Sequence, residues 1–535
     1  MTPSDGSMNR VNSTVANTHP APATPQSTTP RHHTDAIPTV TPEDARYPDM
    51  IRGHGNNRHV ASPEAIRLPS TTEQVVEIVR EAVRDNKRIA VRSGGHCFEN
   101  LVFNDETEII VDLRLMDHVG FDDDRGAFVV EPGATLLKIY ETLHIGWGVT
   151  LPGGGCYATG AGGHFSGGGY GILSRKHGIL SDHLYAVEVV TVDERGEVRA
   201  VVATRDPEDP NHDLAWAVAG GGGGNFGVVT RFWMRSRGAE GSPGDLLPKA
   251  PPTVFSIFAA WSWEDITEEA FATFMARYAD WSRTHGSLDS PYIDMGHWIF
   301  LQHADSGTFN FVAQIDSTVP GARKLVDDFI AFVSDALGVQ PRGVDITEQP
   351  FLKATARTMT AGETITSPSL RTSHKSTYMK DAFPEHQVQT IYRYLTKTVN
   401  PNPYSFLVIN SVRGQISALD DHATAATHRD ALWLVYFESY WHRAEDDERN
   451  VTWLRSFYQD LYADTGGVPV LNDVTDGCYI NYPDNDLSDP AFNRSGVSCH
   501  ELYYKDNYPR LQRVKAKWDP RNFFRHPQSI ELPAN

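Results

Sequence analysis

Two glycine-rich stretches constrain this chain most: Arg92-Ser93-Gly94-Gly95-His96 and Leu151-Pro152-Gly153-Gly154-Gly155-Cys156. Each run ends on a nucleophile, an imidazole in one and a thiol in the other. Glycine lets backbone approach a bulky ligand closely and turn N–H groups toward it. A nucleophile closing such a run stands where it can touch that ligand. The pair points to a large phosphate-bearing cofactor gripped at two places, and to a fold that brings both loops to one cleft.

With 535 residues the chain can hold two or three domains, each with its own core. Its net charge of −20, from 48 basic and 68 acidic residues, argues against a nucleic-acid partner or an anionic membrane surface. No apolar run is long enough to span a bilayer. Residues 1–45 are mostly Thr, Ser, Pro, Asn and His and read as a disordered tail. The tail lacks the basic start and apolar stretch of a secretory signal, so a cytoplasmic location, or an already processed form, is the expectation. The four cysteines, Cys97, Cys156, Cys478 and Cys499, have the spacing of neither a disulfide framework nor a zinc site, and no metal is expected.

Regular patterning begins near Leu68. Ser70-Thr71-Thr72-Glu73 is a helix start, and Val75, Val76, Ile78, Val79, Ala82 and Val83 follow at helical period. Strands are expected at Ile89–Val91, Ile109–Leu113, Ala127–Gly133, Leu184–Asp193 and Asn225–Trp233, with Glu197–Ala203 as hairpin partner of the fourth. A helix is expected from Ala134 to about His144. The stretch from Gly153 to Gly171 reads as loop, too rich in glycine for a stable helix or strand. These elements place an α+β cofactor domain at 46–238. A Gly/Ser/Pro linker near 238–244 leads to a substrate domain at 245–475, with helices around Glu268–Trp281, Arg323–Leu337 and Glu385–Leu395 and strands at Tyr404–Ile409 and Trp433–Phe437. A Tyr/Asn/Asp/Arg-rich segment, 476–535, closes the chain.

Gly222 to Gly227 matches the dinucleotide fingerprint G-x-G-x-x-G, but a run of five glycines makes that match almost automatic. A strand follows it instead of the required helix N-terminus, which rejects a nicotinamide site. His96 alone reads more often as structural, and Cys156 alone as a small buried hydrophobe. Their shared setting changes the balance. Arg92 to His96, Gly155-Cys156 with Gly162 to Gly171, Gly224-Asn225-Phe226-Gly227-Val228-Val229-Thr230, and Tyr479-Ile480-Asn481-Tyr482 together resemble the berberine bridge enzyme group. That group belongs to the FAD-linked oxidases of the vanillyl-alcohol oxidase/para-cresol methylhydroxylase (PCMH) fold. The likeness runs from about residue 48 to the end and is greatest to the natural-product oxidases of actinobacteria.

The resemblance implies a PCMH-type FAD-binding domain beside a substrate domain of antiparallel sheet covered by helices, with 476–535 returning to the FAD domain. It implies FAD held by two bonds, His96 to the 8α-methyl carbon and Cys156 to C6. An imidazole and a thiolate are the nucleophiles able to add to the electron-poor ring. Arg92, Ser93, Gly94, Gly95, Gly155, Gly160, Gly162, Gly163, His164, Gly168, Gly169, Gly224, Asn225, Gly227, Val229 and Asn481 are expected around the cofactor. Cys97 and His164 have no assigned chemistry.

Tyr479 is expected to be the catalytic base, at the group's late tyrosine. A free phenol has a pKa near 10, so reaching about 7 takes roughly 4 kcal/mol of preferential phenolate stabilisation, from phenol donors or a nearby cation. Tyr170 matches a second active-site tyrosine. Tyr378 and Tyr404 are candidates on the substrate domain, as catalytic and substrate-binding residues, against ordinary packing. Ala161 is expected beside the ring, leaving room for oxygen. The expected reaction oxidises a sugar hydroxyl or ring carbinol of a natural product to a carbonyl, with dioxygen reduced to hydrogen peroxide. The alternatives are an oligosaccharide oxidase, a flavin dehydrogenase with another acceptor, and a non-catalytic flavin-binding protein. Monomer and homodimer both stay open.

Overall fold

The computed structural model describes residues 36–54, 56–360, 369–397 and 402–534, and residues from 35 onward make up one compact unit. Most of the expected tail, 1–35, lies outside the described residues. The rest of it is ordered: β1 (Thr39–Val40) pairs antiparallel with β2 (Ala65–Arg67), and Val40 is buried. Residues 36–45 are therefore not part of a disordered tail, a correction to the expected 1–45.

Three sheets organise the chain. In the first, β2, β4 (Ile109–Asp112) and β3 (Ile89–Arg92) run parallel, with β1 on the β2 edge. A helix, Thr72–Arg84, capped by Thr71 Oγ1, carries the chain between β2 and β3. Its apolar stripe (Val75, Ile78, Val79, Ala82) packs in one cluster with Ile109 and Val111 of the first sheet and Val190, Val198 and Val228 of the second. This stripe is the one the 3.6-residue period marks. The second sheet is antiparallel, in the order β5 (Val119–Asp122), β6 (Ala127–Val130), β9 (Val228–Met234), β7 (Leu184–Val192), β8 (Val198–Thr204).

The third sheet has seven antiparallel strands. They are β10 (Thr253–Ser262), β11 (Met295–Gln302), β12 (Thr308–Asp316), β13 (Gly343–Pro350), β14 (Arg371–Met379), β15 (Ser405–Ser411) and β16 (Trp433–Trp441). Their order across the sheet is β13-β10-β12-β11-β15-β16-β14. Helices Glu268–Thr284, Ala322–Leu337, Glu385–Thr396 and Asp447–Leu461 supply Phe274, Tyr278, Phe329, Ile391 and Phe457 to one core cluster with Ile299, Phe311, Trp433 and Phe437 from one sheet face. Because side chains alternate along a strand, Trp298, Phe300, Tyr436, Glu438 and Tyr440 point the other way, into a cleft.

One element overturns its expectation. Ala161–Ser166, inside the presumed loop, is a short helix. Tertiary contacts, not propensity, hold it: Ala161 N–H donates to Ala134 O, Gly162 N–H to Pro132 O, and Asn481 Nδ2 to His164 O. Glycine fits there because backbone and side chains from three segments crowd it. A Cβ on Gly162 would lie 2.9 Å from Ser93 Cβ, and one on Gly167 2.0 Å from Asn481 Oδ1.

Candidate active site

A cleft of about 770 Å³ runs from the glycine loops to the bare face of the seven-stranded sheet. That is ample for a large cofactor and part of a substrate. Arg92 to His96 leave β3 directly into it. Arg92 is anchored on Asp112 at the end of β4, 3.3 Å away, and Ser93 Oγ bonds Pro132 O while accepting from Gly162 N–H. Gly94 and Gly160 touch so closely that a Cβ on Gly94 would stand 2.3 Å from Gly160 N. Only glycine lets these two loops meet.

His96 and Cys156 do converge. Cys156 Sγ lies 4.0 Å from His96 Nδ1, and the thiol is free. His96 Nε2 is buried with no partner, which leaves Nδ1 as the nitrogen turned to the thiol. Burial, aided by the charges of His54, Arg92 and His164, pulls the imidazole down to about 3, so it is neutral and nucleophilic at physiological pH. His164 accepts from Gly154 N–H through Nε2 at 3.0 Å, fixing the Cys156 loop. Burial lowers it as well, to about 4.

Tyr479 reaches the cleft on its inner side. Its hydroxyl oxygen accepts from Gly169 N–H (3.0 Å) and Asn481 Nδ2 (2.9 Å). Among the described residues, no cation hydrogen-bonds to it. Burial pushes the phenol up to about 12 and outweighs the donors, which are Asn481 Nδ2 and the N–H groups of Gly169 and Tyr170, contrary to the expected downward shift. Tyr170, on the glycine loop, lines the same cleft and donates to Ser411 O at 3.2 Å. Tyr404, half exposed, stands at the mouth.

Of the other expected residues, Gly95, Gly155, Gly163, Gly224, Asn225, Gly227, Val229 and Asn481 all line the cleft. Three expectations fail. Gly168 and Gly169 are behind its wall: their positive φ (109° and 71°) turns the chain so that Gly169 N–H meets Tyr479. Tyr378 lies deeper still, stacked on His428 at 4.3 Å, where it borders a small second cavity. Ala161 is fully buried in the core, its N–H used by Ala134, and does not reach the cleft.

The sheet-face residues were not foreseen. Across the paired strands, Phe258, Val312, Trp298 and Asn410 form one row, with Phe300, Phe406, Tyr436 and Glu438 beside it. In Met-Gly-His-Trp-Ile-Phe-Leu-Gln both faces are largely apolar, so alternation alone does not tell core from cleft. At the opposite end, Arg525 and His526 close the cleft. Their segment is tied to the Gly220–Asn225 turn by Tyr504 Oη to Gly221 O, Lys515 Nζ to Asn225 O and Ile530 N–H to Asn225 Oδ1.

Comparison with known proteins decides the family. A model described as FAD binding domain matches residues 63–201, and one described as berberine and berberine like matches 478–531. The aclacinomycin-N/aclacinomycin-A oxidase of Streptomyces galilaeus is 42% identical over 499 residues, covering 93% of this chain and 90% of that protein. The chain belongs to the berberine bridge enzyme-like FAD-linked oxidases. Two solved members superpose closely. CrmK, a flavoenzyme of shunt product recycling in caerulomycin biosynthesis, has a TM-score of 0.90 at 42% identity, covering 94% of this chain and all of CrmK. A glycopeptide hexose oxidase complexed with teicoplanin has a TM-score of 0.87 at 41% identity, covering 93% of this chain and 99% of its own.

This berberine bridge enzyme-like chain is thus an FAD-dependent oxidoreductase of PCMH-type α+β fold. The residues present fit the cofactor. An imidazole and a thiol, 4.0 Å apart, face one cleft. A Cβ on Gly163 would meet no protein atom within 4 Å, so that backbone is bare toward the cleft. Among the described residues, no helix is long and apolar enough to cross a membrane, and no group of three or more His, Cys, Asp or Glu is placed to hold a metal ion.

Proposed function

We propose that this enzyme oxidises an alcohol of a secondary metabolite, a sugar hydroxyl or ring carbinol, to the carbonyl, and that His96 and Cys156 both bond to its FAD. The observation that carries this reading is Tyr479: a phenol with N–H donors on its oxygen, in the wall of the cleft that His96 and Cys156 also enter. Bound FAD supplies a two-electron acceptor for the carbinol hydride, and dioxygen, reduced to hydrogen peroxide, disposes of the electrons.

The chain's own part is to hold the alcohol and take its proton. Tyr479 Oη receives the hydroxyl proton while the carbinol hydrogen leaves as hydride, so two electrons and two hydrogens are accounted for. At pH 7, a phenol near 12 is ionised in about one molecule in 10⁵, a cost of about 7 kcal/mol. A turnover of about 10 per second corresponds to a barrier of about 16 kcal/mol, so that pre-equilibrium fits within it. It also makes kcat/KM rise with pH, about tenfold per unit while the phenol stays mostly protonated. Trp298, Phe300 and Phe406 offer flat apolar surface to the rest of the substrate, while Asn410 and Glu438 offer polar contacts.

Tyr479→Phe should keep the yellow FAD and abolish turnover, with wild-type enzyme releasing one peroxide per alcohol oxidised. An unchanged rate in Tyr479→Phe refutes the base. Rapid dye reduction without peroxide in air refutes the oxidase and leaves a dehydrogenase.

A further inference from the structure

Beside Tyr479, bordering the main cleft through Tyr170, Tyr479 and Ile480, lies a small chamber of about 30 Å³. Tyr170, Tyr378, Thr427, His428 and Tyr479 contribute to its wall. It is large enough for one water molecule, and a buried water needs two or more polar partners to stay. Thr427 provides one such group. The residue is 6% exposed, and its Oγ1 is buried with no hydrogen-bond partner among the described residues. A threonine hydroxyl stranded like this is costly unless something fills the gap.

The Tyr479 ring borders the same space. A Cβ placed on Gly168 would lie 3.4 Å from Ala426, 3.5 Å from Ile179 and 3.9 Å from Cε2 of Tyr479, and Ala426 and Ile179 are both chamber walls. The wall is also held rigidly. His428 has φ of +66°, a conformation that a non-glycine residue adopts only when its surroundings insist. Its Nδ1 is 3.1 Å from Asp476 Oδ2 and its Nε2 3.1 Å from Tyr503 O, while its ring stacks flat on Tyr378. This fixes Tyr378 and presents Thr427 inward.

We propose that this chamber holds one water, anchored by Thr427 Oγ1 and the Tyr378 hydroxyl, which donates a further hydrogen bond to Tyr479 Oη. Thr427 and Tyr378 are then positioning residues for the proton chemistry of Tyr479. The role rests on Tyr479 being the base. Other titratable or charged groups around it are Tyr170 from the glycine loop, Tyr482 and Cys478 from its own segment, and His428 with Asp476 and Lys505. Arg429 completes the set, bound to Asp182 at 2.7 Å. Of these, only Tyr170 also bears on the Tyr479 oxygen, through its backbone N–H; the chamber is where a water would add one more donor.

Thr427→Val removes the anchor with little change of shape. It should move the rising limb of kcat/KM to higher pH and lower the value about tenfold at any pH on that limb, as for one hydrogen bond to a charged group. FAD content and Tm should stay at wild-type values, Thr427→Ser should restore the profile, and Tyr378→Phe should shift it the same way. A high-resolution crystal structure should show water within hydrogen-bond distance of Thr427 Oγ1 and Tyr479 Oη. A dry chamber overturns the proposal, and so does a Thr427→Val profile that superimposes on wild type. If Thr427→Val folds poorly, Thr427→Ser, Tyr378→Phe and the wild-type crystal structure decide. Tyr479→Phe separates the two readings: turnover retained there refutes the base itself, whereas its loss beside a wild-type Thr427→Val profile refutes only the water.

Discussion

Gly167→Ala is the smallest change that should disable the proton acceptor without touching it. Gly167 ends the Ala161–Ser166 helix with φ −97° and ψ 11°, which alanine adopts freely, so the backbone is not strained. The added methyl would lie 2.0 Å from Oδ1, 2.5 Å from Cγ and 2.8 Å from Nδ2 of Asn481. Real Cβ atoms do not sit that close, so Asn481 must swing away. It then loses its bonds to His164 O and to Tyr479 Oη, 3.1 Å and 2.9 Å long. The first loss should cost about 1 kcal/mol of stability, and the second about 1.5–3 kcal/mol of phenolate stabilisation. That is a ten- to hundredfold drop in kcat/KM near neutral pH, with the rising limb displaced by one to two pH units. The assay is kcat/KM against pH at constant FAD absorbance, beside Asn481→Ala, which should behave alike. A Gly167→Ala enzyme with the wild-type rate and profile refutes the assignment of Asn481 as a donor to the base.

Three further outcomes follow from the same contacts. Gly163→Ala puts a methyl into open cleft beside a helical backbone, so the protein should fold with an unchanged or higher Tm, by up to about 1 kcal/mol in stability, yet take up less FAD; absorbance after purification measures this. Lys375→Met should cost about 3–5 kcal/mol in chemical denaturation, because Lys375 Nζ lies 2.7 Å from Asp484 and 2.9 Å from Asp486, and the buried Asp484 carboxylate would lose its cation. His297, beside Tyr278 and pushed down to about 3 by burial and the Arg175 charge, makes the fold acid-sensitive. Above about pH 6.5 both states are neutral and it contributes nothing; below, only the unfolded chain takes the proton, removing about 1.4 kcal/mol per pH unit until about pH 3. Urea midpoints from pH 7 to 5 should fall more steeply in wild type than in His297→Gln.

Local pattern made the cofactor half readable. The stripe Val75, Ile78, Val79, Ala82 marks its helix, and the turn at Gly196 (φ +83°) closes the β7–β8 hairpin. The glycine runs likewise locate the cleft, because nothing but close backbone approach requires Gly94 against Gly160. What was hidden depends on contacts far apart in sequence. The Ala161–Ser166 helix owes its existence to Ala134, Pro132 and Asn481, which propensity does not include. Tyr378 and Tyr436 illustrate the sheet: the pairing Ser376↔Tyr436 puts both on one face, and contacts beyond the sheet, such as the stack of Tyr378 on His428, leave one off the cleft and the other in its wall. The rise of the Tyr479 pKa to about 12 comes from burial by several segments at once, which no local motif reveals.

The most direct measurement is intact mass with peptide mapping after acid denaturation. One FAD per chain, with the peptides containing His96 and Cys156 cross-linked through it and flavin still bound by one residue in Cys156→Ala, is the expected result. Complete release of flavin into the acid supernatant, leaving both peptides unmodified, would contradict the two-bond attachment on which the proposed chemistry stands.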